Sequence, residues 1–74
     1  MTNYNNFGDY LRFLRKNKNI TLRKFAKRIG MYPTYLCDIE LNRRNPPKNY
    51  IDKIIIELGI DNIDTKNLYY FLEI

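Results

Sequence analysis

A lone thiol, Cys37, stands in a chain with no histidine and no serine. A thiol or hydroxyl nucleophile needs a neighbouring base to activate it, so acyl-transfer chemistry has no starting pair. A single cysteine forms no intrachain disulfide, and without histidine or a second thiol a zinc ion has no ligand set. The acidic residues form no obvious metal cluster, and no spacing organises tyrosine or lysine chemistry. Neither an enzyme nor a cofactor is expected, which leaves binding. Residues 1–48 carry eleven Lys and Arg against Asp9, Asp38 and Glu40, a net +8, whereas residues 49–74 carry two Lys against five acidic residues, a net −3. A basic front and an acidic back suit a polyanion met on one side; the bland alternative is a solvated basic surface.

Such side chains must be positioned by a small fold. The 74 residues allow one domain, 1–74, and a chain this short buries only about 60% of its unfolded surface. With nothing to staple it, an all-α fold with an efficient core is the economical answer, with or without help from a dimer contact. Apolar stripes at helical spacing run through Phe7, Tyr10, Leu11 and Leu14, then Leu22, Phe25, Ala26 and Ile29, then Ile51, Ile54, Ile55 and Leu58. A shorter stripe holds Leu68, Phe71 and Leu72. Strict alternation is absent, so strands are not expected.

The punctuation agrees. Asn17, Lys18 and Asn19 break the first helix, and Thr21 is a good N-cap for the second. Gly30 ends that helix, Pro33 suits the first turn of a third, and Asn42 tolerates the left-handed conformation that stops it. Pro46-Pro47 imposes an extended connector, Gly59 closes a fourth helix, and Asp64 or Thr65 caps a fifth. Five helices are predicted, over 7–17, 21–29, 33–41, 48–58 and 65–72. No apolar run approaches the roughly 20 residues of a membrane span. The polar stretch Met1–Asn6 lacks the apolar core of a signal peptide. A cytoplasmic protein without membrane contact is expected, in keeping with a reduced thiol.

The segment Leu22–Leu41, LRKFAKRIGMYPTYLCDIEL, is the most informative. Two helices crossing steeply about a short turn need a small residue at the crossing, met by Ala26, and a turn residue tolerant of positive φ, met by Gly30. Phe25, Ile29, Met31, Leu36 and Ile39 stand at offsets that pin the two helices together. An ordinary αα-hairpin shares the small crossing residue, but not the whole set in so basic a chain.

From about Phe7 to Ile60 the chain resembles the lambda-repressor-like, Cro/XRE type of helix-turn-helix domain. The resemblance is carried by FGDYLRFLR, TLRKFAKRIG, and PTYLCDIE followed by NRRNPP. It implies that the third helix reads the DNA major groove while the start of the second grips the phosphate backbone. It also implies a structural ion pair between Arg15 and Glu40, which would fix an interhelical angle. Three positions depart from the family's usual pattern: Tyr32 replaces a Ser or Thr N-cap, Cys37 a Ser, and Asn42 a Gly.

With Leu36 and Ile39 turned inward, Tyr32, Thr34, Cys37 and Asp38 are candidates for base contacts, with Tyr35 at the margin. Thr34 offers a hydroxyl to a base edge, Asp38 an acceptor for cytosine N4, and Cys37 an apolar contact. Arg43 is a candidate for either a base or a phosphate. Thr21, Arg23, Lys27, Arg44, Asn45 and Lys48 join it as phosphate candidates. Ile56, Tyr70 and Ile74 fall outside the core stripes and suit a homodimer interface that sets two recognition helices about one DNA turn apart.

The expected function is a double-stranded DNA-binding transcription regulator, specifically an autoregulatory repressor from a phage or mobile element. The richness in Asn, Lys and Ile fits an AT-rich genome. The competing reading is an antitoxin or other partner-binding protein, with NLYYFLEI docking a second protein. RNA binding lacks the strand-borne aromatics that stack bases.

Overall fold

Asn6 opens the first helix, its side chain accepting the Asp9 amide at 2.9 Å. An acidic residue in the first turn and Arg15 and Lys16 in the last complement the helix dipole. In the computed structural model, which describes residues 6–73 and side chains as far as Leu72, this helix, α1, spans Phe7–Asn17. It is followed by α2 (Leu22–Ile29), α3 (Pro33–Glu40), α4 (Lys48–Leu58) and α5 (Asn62–Glu73). No strand occurs among the described residues, so the architecture is all-α with five helices.

Each boundary has a local cause. The Thr21 hydroxyl accepts the Lys24 amide at 3.2 Å, and Gly30, at φ 73°, turns the chain out of α2. Tyr32 gives α3 no side-chain cap, but Pro33 occupies its first turn, where a missing N–H costs nothing. α3 ends at Glu40, one residue earlier than the spacing predicts, and Asn42 follows in the left-handed region at φ 63°.

The start of α5 corrects the sequence-based expectation. The helix begins at Asn62 rather than near residue 65, because Asp61 caps it instead of Asp64 or Thr65. The Asp61 carboxylate accepts the Asp64 amide at 2.8 Å, and its carbonyl accepts the Thr65 hydroxyl at 2.8 Å. Asp64 lies within the helix, and its carboxylate accepts the Tyr10 hydroxyl at 2.6 Å.

One core joins all five helices: Phe7, Tyr10, Leu11 and Leu14 from α1, Phe25, Ala26 and Ile29 from α2, Leu36 and Ile39 from α3, Ile51, Ile54 and Leu58 from α4, and Leu68 from α5, with Met31 of the α2–α3 turn. Leu22, Ile55, Phe71 and Leu72, expected in the stripes, lie half-buried at its margin. α1 and α2 both pack on α3, α4 lies on α2, and α5 lies on α1. Tyr10 fastens the last of these contacts. Its hydroxyl donates to Asp64 and accepts the Asn67 amide at 3.1 Å, and its ring meets Phe71 at 5.4 Å between centroids. Burial raises the Tyr10 pKa above the usual phenol value, and the hydrogen bond to Asp64 adds to the rise.

The tightest approach is between α1 and the end of α3. A β-carbon on Gly8 would collide with the Ile39 carbonyl, the Asn42 side-chain oxygen and the Glu40 carbonyl. Only glycine fits there.

Candidate nucleic-acid interface

The crossing of α2 and α3 is set by deeply buried residues. Phe25, Ala26 and Leu36 are fully buried, and Ile29 and Ile39 are 1% exposed. Ala26 lets the two backbones approach, and its carbonyl accepts the Met31 amide at 2.8 Å across the turn. The Tyr50 hydroxyl of α4 donates to the Gly30 carbonyl at 3.2 Å, bracing the same turn from outside.

With Leu36, Ile39 and Glu40 turned into the protein, helical geometry points Thr34 and Asp38 away from it, flanked by Tyr35 and Cys37. Tyr32 and Thr34 are exposed, whereas Tyr35, Cys37 and Asp38 are half-buried. The structure therefore gathers Thr34, Tyr35, Cys37 and Asp38 around one outward face of α3, with the exposed Tyr32 just before the helix. Leu41 also reaches solvent there, 46% exposed, and the sequence reading had not singled it out.

The phosphate candidates are exposed as well. Thr21, Arg23 and Lys27 are exposed along α2, Arg43, Arg44 and Asn45 are exposed in the connector after α3, and Lys48 is exposed at the start of α4. Two of the arginines have definite placements. The Arg44 guanidinium lies 4.5 Å from the Tyr35 ring centroid, a cation–π arrangement. Arg43 Nη1 lies 3.8 Å from Asp38 Oδ1, with side chains 71% and 38% exposed. A pair so long and so wet adds about 0–1 kcal/mol to stability, so both groups remain free to meet a ligand.

Two devices, the first of them buried, hold the face in place. Arg15 and Glu40, 7% and 4% exposed, form a bidentate pair: Arg15 Nε donates to Glu40 Oε2 at 2.7 Å and Nη2 to Oε1 at 2.9 Å. Arg15 Nη1 also donates to the Ile20 carbonyl at 2.7 Å, so one guanidinium joins α1, the α1–α2 connector and the end of α3. The second device is Asn42. Its side-chain oxygen accepts the Gly8 amide at 3.0 Å and its amide nitrogen donates to Asp9 Oδ1 at 3.1 Å.

Sequence reasoning read Asn42 only as a helix stop and did not reach the clasp. The available signals were a glycine one residue into α1, where no turn requires it, and an asparagine where glycine would have sufficed. Of the dimer candidates, Ile56 and Tyr70 are 72% and 61% exposed, joined by Ile63 at 69%. Ile74 lies outside the described residues. Among the described residues no group of three metal-ligating side chains converges, and no helix is long and apolar enough to cross a membrane.

Comparisons with known proteins agree with this geometry. A family model described as a helix-turn-helix domain matches residues 8–70. The chain is similar to the ImmF control region 10 kDa protein of Bacillus phage phi105, with 35% identity over 54 residues. The match covers 73% of this chain and 60% of that protein, so the chain spans well under two thirds of that relative's length. Among solved structures it is similar to the clp gene regulator ClgR from C. glutamicum, with a TM-score of 0.74 and 26% identity over 86% of this chain and 83% of that one.

Proposed function

The chain belongs to the helix-turn-helix domain family, of the Cro/XRE type, and from that membership we propose that it is a sequence-specific regulator of transcription that lays α3 in the major groove of double-stranded DNA. One observation carries the reading: the outward polar face of α3 is flanked by Arg43, set beside Asp38, and Arg44, set against Tyr35, while Arg23 and Lys27 on α2 and Lys48 on α4 are exposed. Side chains of α3, with Arg43 beside them, meet base edges while the other cations and the N-terminus of α2 hold phosphates. The names of the two similar proteins, a phage control-region protein and a gene regulator, support the same reading. Regulation by promoter occupancy, and so repression, asks for no surface beyond this one.

The exposed Ile56, Ile63 and Tyr70 supply apolar area for pairing two copies, which would present two α3 helices to successive turns of DNA. The same surface favours a second reading, in which a different protein docks there and DNA binding is subsidiary.

The test is a titration of fluorescent duplexes, one selected from a randomised pool and one scrambled, at several salt concentrations. Four phosphate-bound cations, Arg23, Lys27, Arg44 and Lys48, predict a slope of log K against log salt of about −3.6 per protomer. Equal, weak binding of both duplexes would overturn the reading. Sedimentation in the presence and absence of the selected duplex separates a paired chain from one that needs another protein.

A further inference from the structure

From Thr21 to Asn49 the chain has only two acidic residues, Asp38 and Glu40, and Glu40 is buried against Arg15. Asp38 is thus the one negative side chain on the surface that the preceding section assigns to DNA. A carboxylate held against a polyanion is repelled unless a hydrogen-bond donor awaits it, and the major-groove edge of DNA offers amino donors on cytosine and adenine alone.

The neighbouring arginines are not equivalent. The Arg43 amide donates to the Asp38 carbonyl at 2.8 Å, which folds the connector back beside the last turn of α3. The Arg43 guanidinium then stands 3.8 Å from the Asp38 carboxylate. Arg44, one residue on, sends its guanidinium to the Tyr35 ring instead. An acceptor beside a fork of donors complements a C·G pair, where the cytosine N4 amino group lies next to guanine O6 and N7. An A·T pair meets the carboxylate with adenine N6 but leaves the arginine a single thymine oxygen beside a methyl group.

Resting on the DNA-binding reading above, we propose that Asp38 and Arg43 act together to read one C·G base pair, and that Arg44, stacked on Tyr35, serves the phosphate backbone without base preference. Because the Asp38–Arg43 pair is long and solvent-exposed, turning both groups to a base pair breaks nothing that the fold depends on.

The experiment uses the duplex selected by the wild-type chain and every single base-pair replacement within its footprint. Wild type is expected to prefer C·G at one position per half-site by about tenfold to a hundredfold. Asp38→Ala should erase the preference at that position and leave the others intact. Asp38→Asn, nearly isosteric, should shift the preference there towards adenine, which asparagine pairs with through N6 and N7. Arg43→Ala should lose the same position. Arg44→Ala should weaken all duplexes alike and reduce the salt slope by about one.

The proposal is overturned if Asp38→Ala keeps every base preference of wild type, or merely tightens binding to all duplexes, which would make Asp38 a repulsive charge only. It is also overturned if Arg43→Ala behaves like Arg44→Ala. A wild-type chain that discriminates bases while these variants do not move the expected position sinks this inference alone. A wild-type chain that binds no duplex sinks the DNA-binding reading with it.

Discussion

Glu40→Ala would leave the Arg15 guanidinium in a site only 7% exposed, with two of its donors stripped of their acceptors and only the Ile20 carbonyl retained. Removing one partner of a buried ion pair typically costs about 3–5 kcal/mol, because the remaining charge is neither solvated nor paired. A chain of 74 residues has a total stability of about 4–11 kcal/mol by the usual per-residue range. The variant should therefore lose about a quarter or more of its stability, and Tm should fall by about 12–40 °C at the 4–8 °C per kcal/mol typical of domains this size. Urea and thermal denaturation followed by circular dichroism, at one fixed protein concentration so that association does not shift the midpoint, read the loss directly. Glu40→Gln retains one acceptor and should fall in between. Arg15→Met with Glu40→Leu removes both charges and should recover most of the loss, since an apolar pair of similar volume avoids the desolvation penalty. A Glu40→Ala variant within about 1 kcal/mol of wild type would refute the reasoning, showing that water or another group satisfies Arg15.

Three further outcomes follow from the packing around α1. Gly8→Ala forces a β-carbon onto the Ile39 and Glu40 carbonyls and the Asn42 side chain, and should cost about 1–3 kcal/mol or more in a urea titration, as overpacking does. Asn42→Gly keeps the left-handed backbone but loses the bonds to Gly8 and Asp9. It should lose about 1–2 kcal/mol of stability, and hydrogen exchange should show earlier opening at the start of α1 than elsewhere. Tyr10 has a folded pKa above its unfolded value of 10.0, so the native state holds the phenolic proton longer. That stabilisation is complete below about pH 10 and is lost as pH rises through the folded pKa. Tyr10→Phe should therefore be less stable than wild type at pH 7 by about 1 kcal/mol and should flatten the alkaline decline in stability; parallel slopes for the two proteins would contradict this.

Local chemistry made much of the fold legible. Gly30 and Asn42 stand at left-handed turns, Thr21 caps α2, and the apolar stripes supply the core, because each of these depends on side chains a few positions apart. The start of α5 was less legible because four capping types, Asp61, Asn62, Asp64 and Thr65, crowd together. Asp64 bonds instead to Tyr10, more than fifty positions earlier, a contact that no local pattern reports. The Gly8–Asn42 clasp was hidden for the same reason, since it joins residues 34 positions apart and no local period reports it. At the interface, residue type and helical phase were enough to collect Thr34, Cys37 and Asp38 on one face. They were silent on the parting of Arg43 and Arg44, which depends on the backbone bond from Arg43 to Asp38 and on the position of the Tyr35 ring.

Helix α1 meets α5 through Tyr10 and the end of α3 through Gly8 and Arg15. Its 11 residues rise about 16 Å, and each residue added to a helix turns everything beyond it by about 100°. One insertion between Tyr10 and Arg15 would turn Arg15 by about 100° relative to Gly8 and Tyr10, so the Glu40 pair could not be kept together with the bonds to Asn42 and Asp64. α1 is thus a gauge of fixed length between the back of the molecule and its polar face. Loops free of such attachments absorb changes in chain length; α1 does not, because its residue count is part of the fit.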